Sequence, residues 1–499
     1  MINHCILSKH SAMKTMHTRW TRTLLAPTLA VVLTVVAGAA PADDAKTAPP
    51  QSAFMRWAMQ DYMLGDWGGA RTKLKDKGVD FEFVYFGALP SNVGGGIKQG
   101  SVYEGAFLMT LDLYSDKLAG YDGGQLHAGG LSIHSGREFS KNFVGDLNKV
   151  SLLDFPDTLN LWEFWYEQKF LQNTVSLKVG QLAIDRDFIV PEYYNSLAGI
   201  GFLNQTFFYP TLAFDVFDQP FFPVGNHALA STPYGTPGAR LRVDPCPHAY
   251  FQVGAYDGNP DRSRGDVRVN LNDNEGALIY GEIGLKLNQT KDAQGPPGNL
   301  KIGGYYHTDD FFDMYEGSFV AVDNFAVASG LSPGPIFGTP ARTRSGNYGV
   351  YFLADQVLWR EVGKDDPAQQ GLTGFFRVAS APKNRNLANF GIDGGLVYKG
   401  LVPSRDYDTL GLAASYLEIS DEVRRAQRDI NTALAPVLGG PLFTKIADYE
   451  GVIELSYKAQ LTAWWTLQPS VQRVFHPGGR VLADIPDAWA VIVQSVFRF

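Results

Sequence analysis

The sequence predicts an all-β protein, a 16-stranded antiparallel transmembrane β-barrel, on three observations. The last stretch alternates strictly, charge keeps to one parity on other strands, and the connections alternate between short and long. In residues 487–499, a period of two puts Trp489, Val491, Val493, Ser495, Phe497 and Phe499 on one face. Ala490, Ile492, Gln494, Val496 and Arg498 fall on the other. A mostly apolar face with aromatics near both ends fits a wall with lipid outside and water inside. Ala277, Ile279, Ile283, Leu285 and Leu287 similarly oppose Tyr280, Glu282 and Lys286. Trp162, Phe164, Tyr166 and Phe170 oppose Glu163, Glu167 and Lys169, and Ile453, Leu455 and Tyr457 oppose Glu450, Glu454 and Lys458. An Arg or Lys on the lipid face near the bilayer midplane costs about 2–4 kcal/mol, so this placement of charge carries information.

Taken in order, alternating runs fall near residues 79–89, 103–115, 124–135, 159–170, 174–184, 237–244, 248–257 and 276–288. Eight more follow near 299–309, 347–359, 371–381, 389–400, 408–420, 449–458, 461–473 and 488–499. An even number closes an antiparallel sheet with both termini on one side and leaves no exposed edge. Even-to-odd connections are brief at 120–123, 171–173, 244–247 and 458–460. Odd-to-even ones are long at about 136–158, 185–236, 310–346 and 421–448, the asymmetry of bacterial barrels. Two short-side turns, 289–298 and 361–370, are longer than this pattern wants, and the run 347–359 offers no assignable faces.

Ahead of the strands, residues 1–23 carry Lys9, Lys14, Arg19 and Arg22 without an acidic residue, and 24–38 is an apolar run of secretory length. Ala40-Pro41-Ala42 supplies the small residues of a cleavage site, so 1–42 reads as a signal peptide and the chain as exported. Its loss moves the formal charge from −8 to −12. A chain this acidic, with no later Lys/Arg block, excludes nucleic acid as a partner class. Cys246 is then the only cysteine left, so no intrachain disulfide forms.

Residues 43–60 give no strand pattern and read as a periplasmic leader, so 43–77 comprises leader and short helix ahead of a barrel domain, 78–499. The helix spans 66–78, capped by Asp66 and ended by Gly78, with Lys73, Lys75 and Lys77 at the negative end of its dipole. Its expected role is a plug or latch.

Three segments carry a family resemblance: Trp67-Gly68-Gly69-Ala70-Arg71-Thr72-Lys73-Leu74 with Lys77-Gly78-Val79, then Val179-Gly180-Gln181-Leu182, then Pro237-Gly238-Ala239-Arg240-Leu241-Arg242-Val243. From Gly65 to Phe499 the chain resembles the OprB family of carbohydrate-selective outer-membrane porins, the Trp-Gly-Gly segment being the most specific part. The resemblance implies an outer-membrane barrel admitting monosaccharides such as glucose by facilitated diffusion. The terminal aromatic Phe499 resembles the C-terminal signature of outer-membrane proteins, so the barrel assembly machinery and outer-membrane lipid are expected partners. A homo-oligomer would require a flat apolar outer patch that strand parity does not reveal. After Gly-Gln-Leu, where the family often has an acidic or serine-rich run, this chain has Ala183-Ile184-Asp185-Arg186-Asp187.

The connection 185–236 is far longer than ordinary ones and holds Phe188, Tyr193, Tyr194, Phe202, Phe207, Phe208, Tyr209, Phe214, Phe217, Phe221 and Phe222. That much apolar surface does not sit unpacked in water, so the loop is expected to fold inward and narrow the lumen. Sugar hydroxyls are read by paired donors and acceptors, with Arg as a planar multi-donor fork. Arg240 and Arg242 share the inward parity of their strand, and with Glu163, Trp165, Asp185 and Arg186 they are the expected constriction. A general or ion-selective porin of the same architecture is the alternative. No phosphate loop appears, and His127 and His134 are too far apart for a strand metal pair, so neither catalysis, cofactor nor metal is expected.

Overall fold

In the computed structural model, the described residues are 52–135, 138–192, 201–208, 232–258, 276–290, 292–338, 340–361 and 369–499. The expected signal peptide, the first part of the leader, and the aromatics at 193, 194, 209, 214, 217, 221 and 222 lie outside them. Sixteen long strands form one sheet: β1 (Val79–Gly94), β2 (Glu104–Tyr114), β3 (Gly124–His134), β4 (Thr158–Phe170), β5 (Val175–Leu182), β6 (Thr236–Cys246), β7 (Ala249–Asp257) and β8 (Ala277–Leu287). The second half is β9 (Gly298–Phe312), β10 (Thr343–Arg360), β11 (Gly371–Ser380), β12 (Ala388–Lys399), β13 (Thr409–Ile419), β14 (Tyr449–Thr462), β15 (Trp465–Phe475) and β16 (Ala488–Arg498). Every neighbour is antiparallel, and β1 meets β16 through pairs such as Tyr85↔Phe497 and Leu89↔Val493, which closes the cylinder. A two-residue piece, Gly100–Ser101, pairs with Ser91 and Asn92 at one rim.

Alternation decides which side each residue takes. On β8, Ile279, Ile283 and Leu285 are exposed on the outer surface whereas Tyr280 and Glu282 are buried. Trp162 departs from the expected parity. The β3–β4 register shifts between Gly129↔Glu163 and Gly130↔Leu161, and this bulge turns Trp162 inward beside Glu163, where it is buried. The expected turn at 458–460 is strand; the reversal comes at Ala463 and Trp464. The run 347–359 had no readable faces because its inward set includes the buried Val357 together with Tyr351 and Leu353, which pack with apolar loop residues such as Ile189 instead of facing water.

Loops from the long-connection end fill much of the interior. Phe139, Phe143, Val144 and Val150 of one loop, with Phe202, Leu203 and Phe207 of another, pack on Val84, Phe86, Leu108, Leu131 and Ile492 of the wall. Phe188 and Ile189 pack opposite, on Leu278, Tyr280 and Leu353. The lumen wall therefore carries apolar side chains, among its polar ones, where a loop covers it.

Before β1 lie helices α1 (Ala53–Ala58) and α2 (Ala70–Asp76), the second entered through a turn at Trp67–Gly69 in which Gly68 and Gly69 take positive φ. The helix starts later than expected, with Gly69 and not Asp66 in the N-cap position, but Asp66 still accepts from the Thr72 N–H in its first turn at 2.9 Å. Arg71 is buried against the Tyr62 ring at 3.4 Å, and its guanidinium donates to the main-chain oxygens of Phe499 (2.5 Å) and Phe81 (2.9 Å). This segment thus clasps the seam where the first and last strands meet. Short helices α3 (Ser115–Ala119) and α4 (Gln205–Phe208) lie in connections. Two longer ones, α5 (Met314–Ala328) and α6 (Asp421–Leu438), pack together at the long-loop end through Phe319, Val322, Ala426, Ile430 and Leu434.

Candidate functional site

Strands β4, β5 and β6 bring Glu167, Lys178 and Arg240 to one level, since Glu167 pairs with Lys178 and Lys178 with Arg240. After β5 the chain turns inward through Ile184–Arg186 and lays Asp187 over that row. Lys178 Nζ reaches Asp187 at 2.7 Å, and Arg240 Nη2 reaches Asp187 at 3.3 Å and Glu167 at 2.8 Å, with Nη1 donating to Ser176 Oγ at 2.5 Å. All four ionic groups are buried. Removing ions from water costs several kcal/mol each, offset here because the two cations and two carboxylates face one another with hydrogen bonds.

Of the expected constriction residues, Glu163 and Arg186 come together, Nε to Oε2 at 3.7 Å. Trp165 is stacked on His127 (4.7 Å between ring centres) and lies under Lys178 Nζ at 4.5 Å. Asp185 is buried and accepts from the Thr232 N–H (2.9 Å) and Oγ1 (2.7 Å). Burial pushes its carboxyl up to about 6, tempered by those two hydrogen bonds. For Asp187 burial also acts upward, but the charges of Lys178 and Arg240 outweigh it and hold the group below the ordinary carboxylate value.

Arg240 and Arg242 point inward as parity requires, yet they do different things. Arg240 is spent on its buried partners. Arg242 sits nearer the end that carries both termini, joined to Asp244 (2.7 Å), which also accepts from Lys286 (2.7 Å), with its guanidinium 3.8 Å from the Tyr250 ring centre. The Arg242 side chain stays 27% exposed and that of Arg186 38%, so these two guanidiniums keep surface for a passing solute. Asp187, Lys178, Glu167 and His127 were not among the expected constriction residues, although the parity of β4 puts Glu167 inward with Glu163. The inward parity of Glu167, Lys178 and Arg240 on successive strands was the available signal.

Wall carboxylates hold the inward loops. Glu282 accepts from Ile189 N–H, Tyr250, Gln252 and Tyr351, and Asp355 accepts from Glu192 N–H. Glu454 takes the N–H groups of Leu203 (2.7 Å) and Asn204 (2.9 Å), and Glu450 those of Leu147, Asn148 and Gly478. The described parts of the connection between β5 and β6 thus lie within the barrel and narrow it.

A closed sixteen-strand cylinder, apolar outside, with loops folded into a polar-lined interior, is a porin: a channel of the outer membrane. Residues 98–499 match the family model described as carbohydrate-selective porin, OprB family, and the chain belongs to that family. It is 26% identical to Porin B of Pseudomonas aeruginosa over 456 residues, covering 87% of this chain and 91% of that protein. With the putative porin QuiX of Acinetobacter baylyi it shares 23% over 458 residues, 88% of this chain and 93% of the other. The fold matches the high-pH structure of Pseudomonas putida OprB with a TM-score of 0.71 at 24% identity, covering 89% of this chain and 99% of that one.

Proposed function

We propose that the chain carries monosaccharides such as glucose across the outer membrane by facilitated diffusion, the solute passing Arg186 and Arg242 beside the inward loop. The observation that carries this reading is the pairing of each still-exposed guanidinium with a carboxylate and an aromatic ring. Arg186 has Glu163, and Trp162 at 5.8 Å from its guanidinium carbon; Arg242 has Asp244 and Tyr250. Adjacent donors and acceptors suit hydroxyls, and a paired charge attracts neither ion sign strongly. Glu163 holds Arg186 and Asp244 holds Arg242, while buried Arg240 and Asp185 anchor the loop from which Arg186 projects and Trp165 lies under Lys178 in the wall beside it. Residues 1–42 are removed on export in this reading, residues 43–77 face the periplasm, and the strand ending at Phe499 addresses the barrel assembly machinery.

In planar bilayers, glucose should reduce the ion current through the wild-type channel. In the double variant Arg186→Ala, Arg242→Ala, the half-blocking concentration should rise about tenfold, as expected for roughly 1.4 kcal/mol of lost binding. An unchanged blocking curve would move the sugar contacts elsewhere.

A further inference from the structure

A second polar and aromatic chamber lies on the opposite side of the barrel, at the end that carries both termini. It is a cavity of about 390 Å³ lined by Tyr407, Gln460, Thr462, Trp464, Thr466 and Arg498, with Ala463 and Val496 completing an apolar floor. Gln460, Thr466, Val496 and Arg498 all take the inward parity of β14, β15 and β16, so the chamber belongs to the lumen. At roughly 30 Å³ per water, that is room for about a dozen waters, or for a sugar ring with part of its hydration.

Its chemistry is that of a polyol site. Tyr407, on the β12–β13 connection, is 53% exposed and offers an aromatic face. Around it stand an amide, two threonine hydroxyls and a guanidinium, which together can both donate to and accept from adjacent hydroxyls. Four cations stand near it: Lys458 on the inward face of β14, Lys399 with Nζ 5.6 Å from the Tyr407 ring, and Arg498 and Arg405, which are both ion-paired. Arg498 bonds Glu82 at 2.8 Å, and Asp408 accepts from Arg405 Nε (2.8 Å), Tyr457 (2.5 Å) and the Gln460 N–H (2.9 Å). The amide, the two threonine hydroxyls and the aromatic face, not the charge balance, are what suit the lining to a polyol. The floor is rigid: Trp464 is buried, with Trp57 of α1 against it at 4.5 Å between ring centres and its indole N–H donating to the Trp57 main-chain oxygen.

We propose that this chamber is an exit-side saccharide subsite, which a sugar occupies after the constriction and before the periplasm. The inference rests on the sugar-permeation reading above. In planar bilayers with channels inserted in one orientation, glucose is added only to the side of the termini and the current reduction is titrated. Tyr407→Ala should raise the half-blocking concentration from that side at least fivefold, and Thr466→Val, which keeps the side-chain volume, at least twofold. Both titrations superimposing on wild type would overturn the subsite, while a shift by Arg186→Ala, Arg242→Ala would show the constriction reading intact. A wild-type channel that glucose blocks from neither side would overturn both.

Discussion

Asp185 and Asp187 stand two positions apart and behave oppositely, because what surrounds a carboxylate matters more than where it lies in sequence. Asp187 is held charged by Lys178 and Arg240, whereas Asp185 is buried, hydrogen-bonded by the neutral donors of Thr232 with the opposing charges of Arg186 and Glu163 acting more weakly, and its carboxyl is pushed up to about 6. Below that pH the protonated form dominates and a negative charge beside Arg186 is lost, so the constriction becomes more positive. The ratio of anion to cation permeability, read from reversal potentials under a salt gradient, should therefore rise as pH falls through about 6. Asp185→Asn, which keeps an acceptor for Thr232, should flatten this step, and a step unchanged in that variant would assign it to another group. At this scale the sequence revealed direction but not partnership. Parity placed Arg240 and Arg242 inward, yet that Arg240 would be consumed by Glu167 and Asp187 depended on a loop folding back over 53 residues of chain separation.

The strands were legible as elements because each must switch faces at every residue, and lipid outside makes errors costly. Legibility failed where another element intervenes. Loop residues cover the inner faces of β10 and mask its polarity, and a bulge in β4 reverses Trp162. Helices α5 and α6 were not expected in the long connections, although Val423, Ala426, Ile430 and Leu434 have the spacing of one helical face. The loops themselves are held by charged acceptors on the wall. Glu454→Ala would leave the N–H groups of Leu203 and Asn204 without their acceptor, a loss of about 1–3 kcal/mol for each group left buried and unpaired. Single-channel conductance should rise in this variant as the 201–208 segment loosens, and Glu454→Gln should lie between it and wild type. An unchanged conductance in Glu454→Ala would mean that apolar packing of Phe202 and Phe207 alone fixes the segment.

For the whole molecule, the architecture follows from two solvents meeting one sheet. Lipid requires every backbone group of the wall to be paired internally, which closure between β1 and β16 achieves, and Arg71 reinforces that seam from outside the sheet. Water inside would leave a wide nonselective hole, and the inward loops remove it. Cylinder, strand count and inward loop could be read from the alternation and from connection lengths. The two-level arrangement of buried clamp and partly exposed guanidinium could not, because it is set by which loop groups land on which wall groups. The most direct test is swelling of liposomes carrying the purified protein, comparing glucose with gluconate and with a neutral non-sugar solute of similar size. Faster swelling with glucose than with either, reduced toward parity by Arg186→Ala with Arg242→Ala, is the expected result; rates that follow solute size alone, or no swelling at all, would contradict a sugar-selective channel.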